Sequence, residues 1–347
     1  MLPMPLASDQ FIRGPHGDRK AGFEMPARPA LAAGRSTGRD PDLPVGGTGR
    51  RTNWPALLLA LGLGWFPAER LFAAEPMRYL YNAPESSLDK RYLYHWSILQ
   101  TALEKTAPKY GPFVMQSAEF MTEKRQATEL RDATGKLTVM YLGTTPEMEK
   151  SLVPIRIPVD KNLGGYCVFL IRTENQKRFD AVKSLDDLRK FKFGLGLGWI
   201  DVDILHANRF EVVTASCYDC LFEMMEKKRS DLALRAAVEV IDEYETRKAA
   251  MPDISIESNL ILYYPMPMYF WFSKTDEGRR LAARAEEGMR MMIADGTYDR
   301  IFAQYQNAKI QRLKLKDRKI FRIDNPLLGP ETPFQDKQLW FDPATYQ

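Results

Sequence analysis

Five side chains sit where chemistry could happen, each just after a stretch that reads as a strand. They are Glu85, Thr144, Thr145, Trp199 and Arg235. Arg235 ends the run Asp231-Leu-Ala-Leu, and a lone guanidinium there could grip an anionic ligand through two parallel hydrogen bonds. It could equally pair with Glu239, four residues on along a helix. Trp199 follows a Gly-rich turn and offers a flat apolar face for stacking, or simply packs at a hinge. Thr144 and Thr145 precede a helix start, where free amide donors favour anions and where Thr is also a good N-cap. Glu85 could pair with a cation or stay solvated, and Asp201 reads as an N-cap.

These residue types suit capture of a solute better than catalysis. His16, His95 and His206 do not cluster, and no Ser/His/Asp set, HExxH or Walker A pattern occurs. Gly194-Leu-Gly-Leu-Gly198 lacks the six-position dinucleotide fingerprint. The chain is therefore expected to be no enzyme and to carry no cofactor or metal. Cys217 and Cys220 form a CxxC, which at a helix start can be redox-active through a lowered thiol pKa. No second CxxC or nearby His completes a zinc site around it. Cys167, inside Tyr166-Cys-Val-Phe-Leu-Ile171, reads as a small core residue. With three cysteines, one must be left over from any disulfide framework.

The elements that must position these residues alternate. Met77–Tyr81 reads as a strand, 89–105 as a helix with Tyr92, Trp96, Leu99 and Leu103 on one face, and 113–116 as a strand. A helix over 122–133 and a strand over 137–142 follow. A continuous apolar strand, 166–172, opens a second α/β series: Ser184-Leu-Asp-Asp187 has a helix-capping pattern, 192–198 is a strand and turn, and strands near 211 and 231 alternate with helices over 201–208, 218–228 and 238–248. Strands at 260–264 and 268–272 lead into a long helix, 276–294, with Leu281, Ala285, Met289 and Met292 along one side. Alternation of this kind predicts parallel sheets whose ligands gather at strand ends. Two apolar passages, near 170 and 265, bracket the middle segment, as in two lobes joined by a hinge with a cleft between them.

Composition narrows the partners. Residues 1–74 hold nine Lys/Arg against six Asp/Glu, leaving 40 against 39 in the remainder, so the +4 of the whole chain becomes about +1 there. Nucleic-acid binding needs a basic surplus to neutralise phosphates and is set aside. The first 50 residues, with eight Gly and seven Pro, read as a disordered presequence. Residues 51–74 read as a signal peptide: Arg50-Arg51, the 13-residue apolar stretch Trp54–Phe66, then Ala73-Ala74. That stretch is short for a membrane span, which takes roughly 20 residues.

Four segments, in order, carry a resemblance. Phe179–Leu188, the Gly-rich Gly194–Trp199, Phe222–Asp231, and Gly288–Tyr305 with its Asp295-Gly-Thr-Tyr298 resemble the periplasmic type-II solute-binding proteins, extracellular family 3, typified by polar amino-acid receptors. The resemblance covers 77–308. It implies a two-lobed α/β fold with two hinge strands: lobe 1 from 77–168 and 267–347 (with a C-terminal tail), lobe 2 from 169–266. It further implies an exported periplasmic monomer that takes a small-molecule ligand and passes it to an inner-membrane permease or a sensor. Gly198–Leu205 and Tyr263–Tyr269 resemble a branch whose ligands are mostly unassigned. Two departures matter. The receptors' ligand-gripping Arg falls here on Met148, in Thr144-Thr-Pro-Glu-Met148, and their amino-group acid is missing after Asp231-Leu-Ala-Leu-Arg-Ala236. The resulting expectation is a small organic anion, bound by Arg235 and Trp199 from the second lobe and Thr145 from the first. The alternatives are a dehydratase-like enzyme on this fold, with Glu85 or Asp201 as acid, and a partner-binding module with a vestigial cleft.

Overall fold

The computed structural model describes residues 75–85, 89, 91 and 93–346, all within the compact unit Ala73–Gln347. The segments read as presequence and signal peptide lie outside the described residues. No helix among the described residues is long and apolar enough to cross a membrane.

The chain begins with β1 (Met77–Tyr81), α1 (Leu93–Lys105), α2 (Ala107–Tyr110), β2 (Phe113–Ser117) and α3 (Glu123–Arg131). It continues through β3 (Met140–Leu142), α4 (Pro146–Ser151) and β4 (Leu152–Ile155). β1 and β2 pair in parallel, Met77 opposite Phe113. β3 and β4 flank β11 (Tyr269–Ser273) in an antiparallel three-stranded sheet. All five β11 residues are buried, as its unbroken Tyr-Phe-Trp-Phe run requires.

The second sheet starts with β5 (Tyr166–Arg172), buried at every position. After α5 (Gln176–Asp180) and α6 (Leu185–Leu188) come β6 (Lys192–Gly196), α7 (Ile200–Ala207), β7 (Glu211–Ala215), α8 (Tyr218–Glu226), β8 (Leu232–Ala236) and α9 (Val240–Arg247). Ser184 caps α6 with the full capping box expected of Ser184-Leu-Asp-Asp187. β9 (Ile254–Ile256) pairs with β5, and β10 (Leu260–Tyr263) completes the crossing back. The long helix α10 (Asp276–Ala294) and α11 (Thr297–Leu313) precede β12 (Lys319–Arg322). The path across this sheet is β12-β10-β5-β8-β6-β7.

β12 lies parallel to β10 and extends the second sheet's edge, Leu260 opposite Lys319. Its alternation puts Phe321 inward, and no signal in the local sequence says which sheet it will meet.

α10 buries Leu281, Ala285, Met289 and Met292, the stripe its periodicity predicts, and lies against α1. The contact is close because position 288 is glycine: a Cβ there would fall 2.1 Å from the carbonyl oxygen of Ala102. Arg284, fully buried on the same helix, donates to the carbonyls of Leu103, Gly111 and Pro112 and to Thr106 Oγ1. A buried guanidinium needs such acceptors, and these tie the end of α1 to the start of β2.

At the crossing between the sheets, Asp160 accepts from the amides of Asn162 and Gly164. Asn162, left-handed at φ 59°, accepts at Oδ1 from the Met266 amide at 2.6 Å. One turn thereby fastens both passages of the chain, near 165 and near 265.

Candidate functional site

A partly open cavity of about 70 Å³ lies where the two sheet systems face each other. That is room for roughly five waters. Arg91, Glu123 and Tyr141 line it from the first sheet's side, Asp160 and Gly164 from the crossing turn, and Cys167, Trp199, Asp201, Arg235 and Glu239 from the second sheet's side, with Met266 and Met268 closing it. Glu123 and Trp199 also line an outer pocket of about 150 Å³, together with Glu85, Phe120, Leu197 and Cys217.

Arg235 lines the cavity, as expected, but its guanidinium is committed. Nε and Nη2 make a two-pronged contact with Glu243 Oε2 and Oε1, both at 2.7 Å, and Nη2 also reaches Glu239 Oε2 at 2.5 Å. Nη1 donates to the Leu234 carbonyl, and only 4% of the side chain is exposed. The i,i+4 partner visible in the sequence is therefore present, and a second carboxylate one turn further on joins it. Burial raises the Glu239 carboxyl above its ordinary range, with Glu243 beside it adding repulsion. In Glu243 the burial cost is outweighed by Arg235, which holds that carboxyl low. Tyr218 donates its hydroxyl to Glu243 at 2.7 Å. Two carboxylates around one guanidinium leave a negative wall, so the anion grip expected of Arg235 does not follow from its geometry.

The second guanidinium is also taken. Arg91 binds Asp89 through Nε and Nη2, at 2.8 and 2.9 Å, and Glu85 through Nη2 at 2.8 Å, above the Tyr218 ring at 4.2 Å. Glu85 thus serves Arg91 and lines the outer pocket, not the inner cavity. Thr144 donates to Glu149 Oε1 at 2.7 Å, and Thr145 caps α4 by accepting from the Met148 amide. Neither threonine is among the residues lining the cavity.

Trp199 lies 4.8 Å from the Arg235 guanidinium, stacked on the second sheet. Its seat depends on glycine at 196, where a Cβ would come within 2.2 Å of the indole. Asp201 proves not to be the cap of α7. Trp199 holds that position, and Asp201 faces the cavity, where its Oδ1 takes the Tyr264 hydroxyl.

The residue missed by sequence reasoning is Glu123, the first of α3. Its Oε2 is enclosed with no hydrogen-bond partner, while the Ile200 amide, at the start of α7, bonds the carboxylate. Burial, with Asp201 repelling from across the cavity, pushes this carboxyl up to about 8. Burial likewise lifts Asp160 to about 7 against the amide bonds that favour its charge, and raises Asp201 despite Tyr264 and Arg235. A site in which several carboxyls resist ionisation is short of positive charge. The only local signal for Glu123 is an acid in the first turn of a helix, which usually marks a solvated dipole partner.

Cys217 and Cys220 form a disulfide at the start of α8, leaving Cys167 as a buried thiol beside the Tyr264 hydroxyl.

Solved structures to which this chain is similar include amino-acid-binding proteins. An ancestral arginine-binding protein bound to arginine is 17% identical over 67% of this chain and 99% of its own, with a TM-score of 0.49. A Salmonella typhimurium periplasmic binding protein with high arginine specificity is 13% identical over 66% of this chain and 99% of its own, also at 0.49. An ancestral amino-acid-binding protein, a precursor of cyclohexadienyl dehydratase, is 18% identical over 67% of this chain and 95% of its own, at 0.48. No family model matches the sequence, and no curated protein matches it.

Proposed function

We propose that this protein is an exported, monomeric, non-enzymatic solute receptor that closes around a small organic cation, an amine or guanidine, and presents it to a membrane permease or a sensor. The observation that carries the reading is the enclosed, unpartnered Oε2 of Glu123, facing a cavity whose two guanidiniums already hold carboxylates. An entering ammonium would satisfy that oxygen and relieve the repulsion from Asp201. An entering carboxylate would meet Glu123, Asp201 and Glu239 with no free cation to offset them. Contacts from α3 on one side and from the α7 and β8 region on the other give such a ligand a greater affinity for the closed arrangement, as closure requires.

Calorimetric titration with short alkylamines, guanidine and short carboxylates from pH 6 to 8.5 tests this. Amine affinity is expected to rise with pH, by up to tenfold per unit below about 8, because the amine keeps its proton while Glu123 must release one to bind it. Binding of carboxylates but not amines, or amine affinity that falls with pH, would overturn the proposal. A second reading, an acid catalyst, draws on Asp201, whose raised carboxyl and bound Tyr264 could supply a proton. Turnover of a hydroxy acid that is lost in Asp201→Asn would favour it.

A further inference from the structure

The Cys217–Cys220 pair lies outside the solute reading, and its setting is that of a reactive disulfide. Cys217 is exposed and occupies the N-cap of the nine-residue α8, and its Sγ accepts the Cys220 amide at 3.1 Å. A sulfur so placed faces the positive end of the helix, which favours it as a thiolate. Cys220 is half-buried behind it. Beside Cys217, the outer pocket presents Phe120 and Leu197, 41% and 66% exposed, an apolar rim against which a partner's backbone can lie.

The two residues between the cysteines reach inward. Tyr218 donates to Glu243 and lies beneath Arg91, and Asp219 accepts from Arg247 Nη2 at 2.5 Å. The first turn of α8 therefore holds one end of the charge network that walls the cavity.

We infer that Cys217–Cys220 is a thiol–disulfide exchange site for a protein dithiol, and that its redox state is transmitted through Tyr218 and Asp219 to the cavity wall. A thiolate of the dithiol attacks Cys217 Sγ; the Cys217–Cys220 bond breaks, and its electron pair leaves on Cys220, which takes a proton from solvent. The dithiol's second sulfur then attacks its partner sulfur in the mixed disulfide, and Cys217 departs as a thiolate. The dithiol loses two electrons and becomes a disulfide, and this chain gains them. The dithiol's two protons pass to solvent, which supplies Cys220 and, when its thiolate is neutralised, Cys217.

The test uses the folded full chain with dithiothreitol and with reduced thioredoxin as probes. Reduction followed by maleimide labelling should add two labels, on Cys217 and Cys220, while buried Cys167 stays unlabelled. Cys220→Ser should form a mixed disulfide with oxidised glutathione at least roughly tenfold faster than Cys217→Ser, because Cys217 is the exposed, helix-capping sulfur. Amide exchange across 235–247 should quicken on reduction. A disulfide that resists both probes until the protein is unfolded, equal rates for the two serine variants, or unchanged amide exchange on reduction would overturn the inference. None of these readouts depends on the solute, so they stand or fall apart from the cation proposal.

Discussion

The two walls of the cavity hold similar side chains in opposite conditions. On the β8–α9 wall, Arg235, Glu239, Glu243 and Tyr218 satisfy one another, and that wall is complete without a ligand. On the facing wall, Glu123 is enclosed with an unanswered oxygen, while Asp201 across from it and Asp160 in the crossing turn are held toward their neutral forms. A buried charge with its partners in place is architecture, whereas one without them is a demand on whatever enters. The residue that looked most like a ligand anchor in the sequence belongs to the first kind.

The sharpest way to break this comparison is Arg235→Ala. It should lower unfolding free energy in urea by about 3–5 kcal/mol, because Glu239 and Glu243 remain buried without their cation. Retention of full stability would mean the wall is not self-sufficient. Next, Gly196→Ala should cost about 1–3 kcal/mol, since the added methyl collides with the Trp199 indole and the second sheet must yield. A red-shifted tryptophan emission that vanishes in a Trp199→Phe background would confirm the displaced ring.

Glu123→Gln tests the facing wall through pH. With the folded carboxyl at about 8 and an ordinary value near 4.5, the native state between those pH values holds a proton the unfolded chain has released. Stability in the parent protein should therefore fall as pH rises through that window, by up to about 1.4 kcal/mol per unit from this group, and level off above it. Gln has no proton to lose, so the variant should show a shallower fall and a higher stability at pH 8.5. An unchanged slope would show that Glu123 is ordinarily ionised. The smallest effect is expected from Thr145→Ala, which removes the α4 cap at a cost of about 1 kcal/mol and leaves amine binding intact. Lost binding in that variant would restore Thr145 to the site.

Much of the scaffold was legible because it is written locally. The capping box at Ser184, the apolar stripe of α10 and the unbroken β5 run each depend on neighbours within a turn or two. The Arg235–Glu239 pair was legible for the same reason. Glu243 was not, since nothing in an i,i+8 spacing distinguishes a second buried carboxylate from a solvated one. Glu123 was hidden more deeply: its enclosure depends on the start of α7, which belongs to the other sheet and lies far along the chain. Asp201 was mistaken for a cap because its cavity partner, Tyr264, comes from the returning strand passage.

The placement of β12 has a consequence in time. The edge of β10 is covered only when Lys319–Arg322 arrives, after α10 and α11 have been made. During synthesis Leu260–Tyr263 therefore presents an open, strongly apolar strand edge while more than fifty residues are still to emerge. An edge of that kind invites pairing with a second nascent copy. The interval is one in which a holding chaperone would serve this chain, and shortening the chain before 319 should turn a soluble product into an aggregating one.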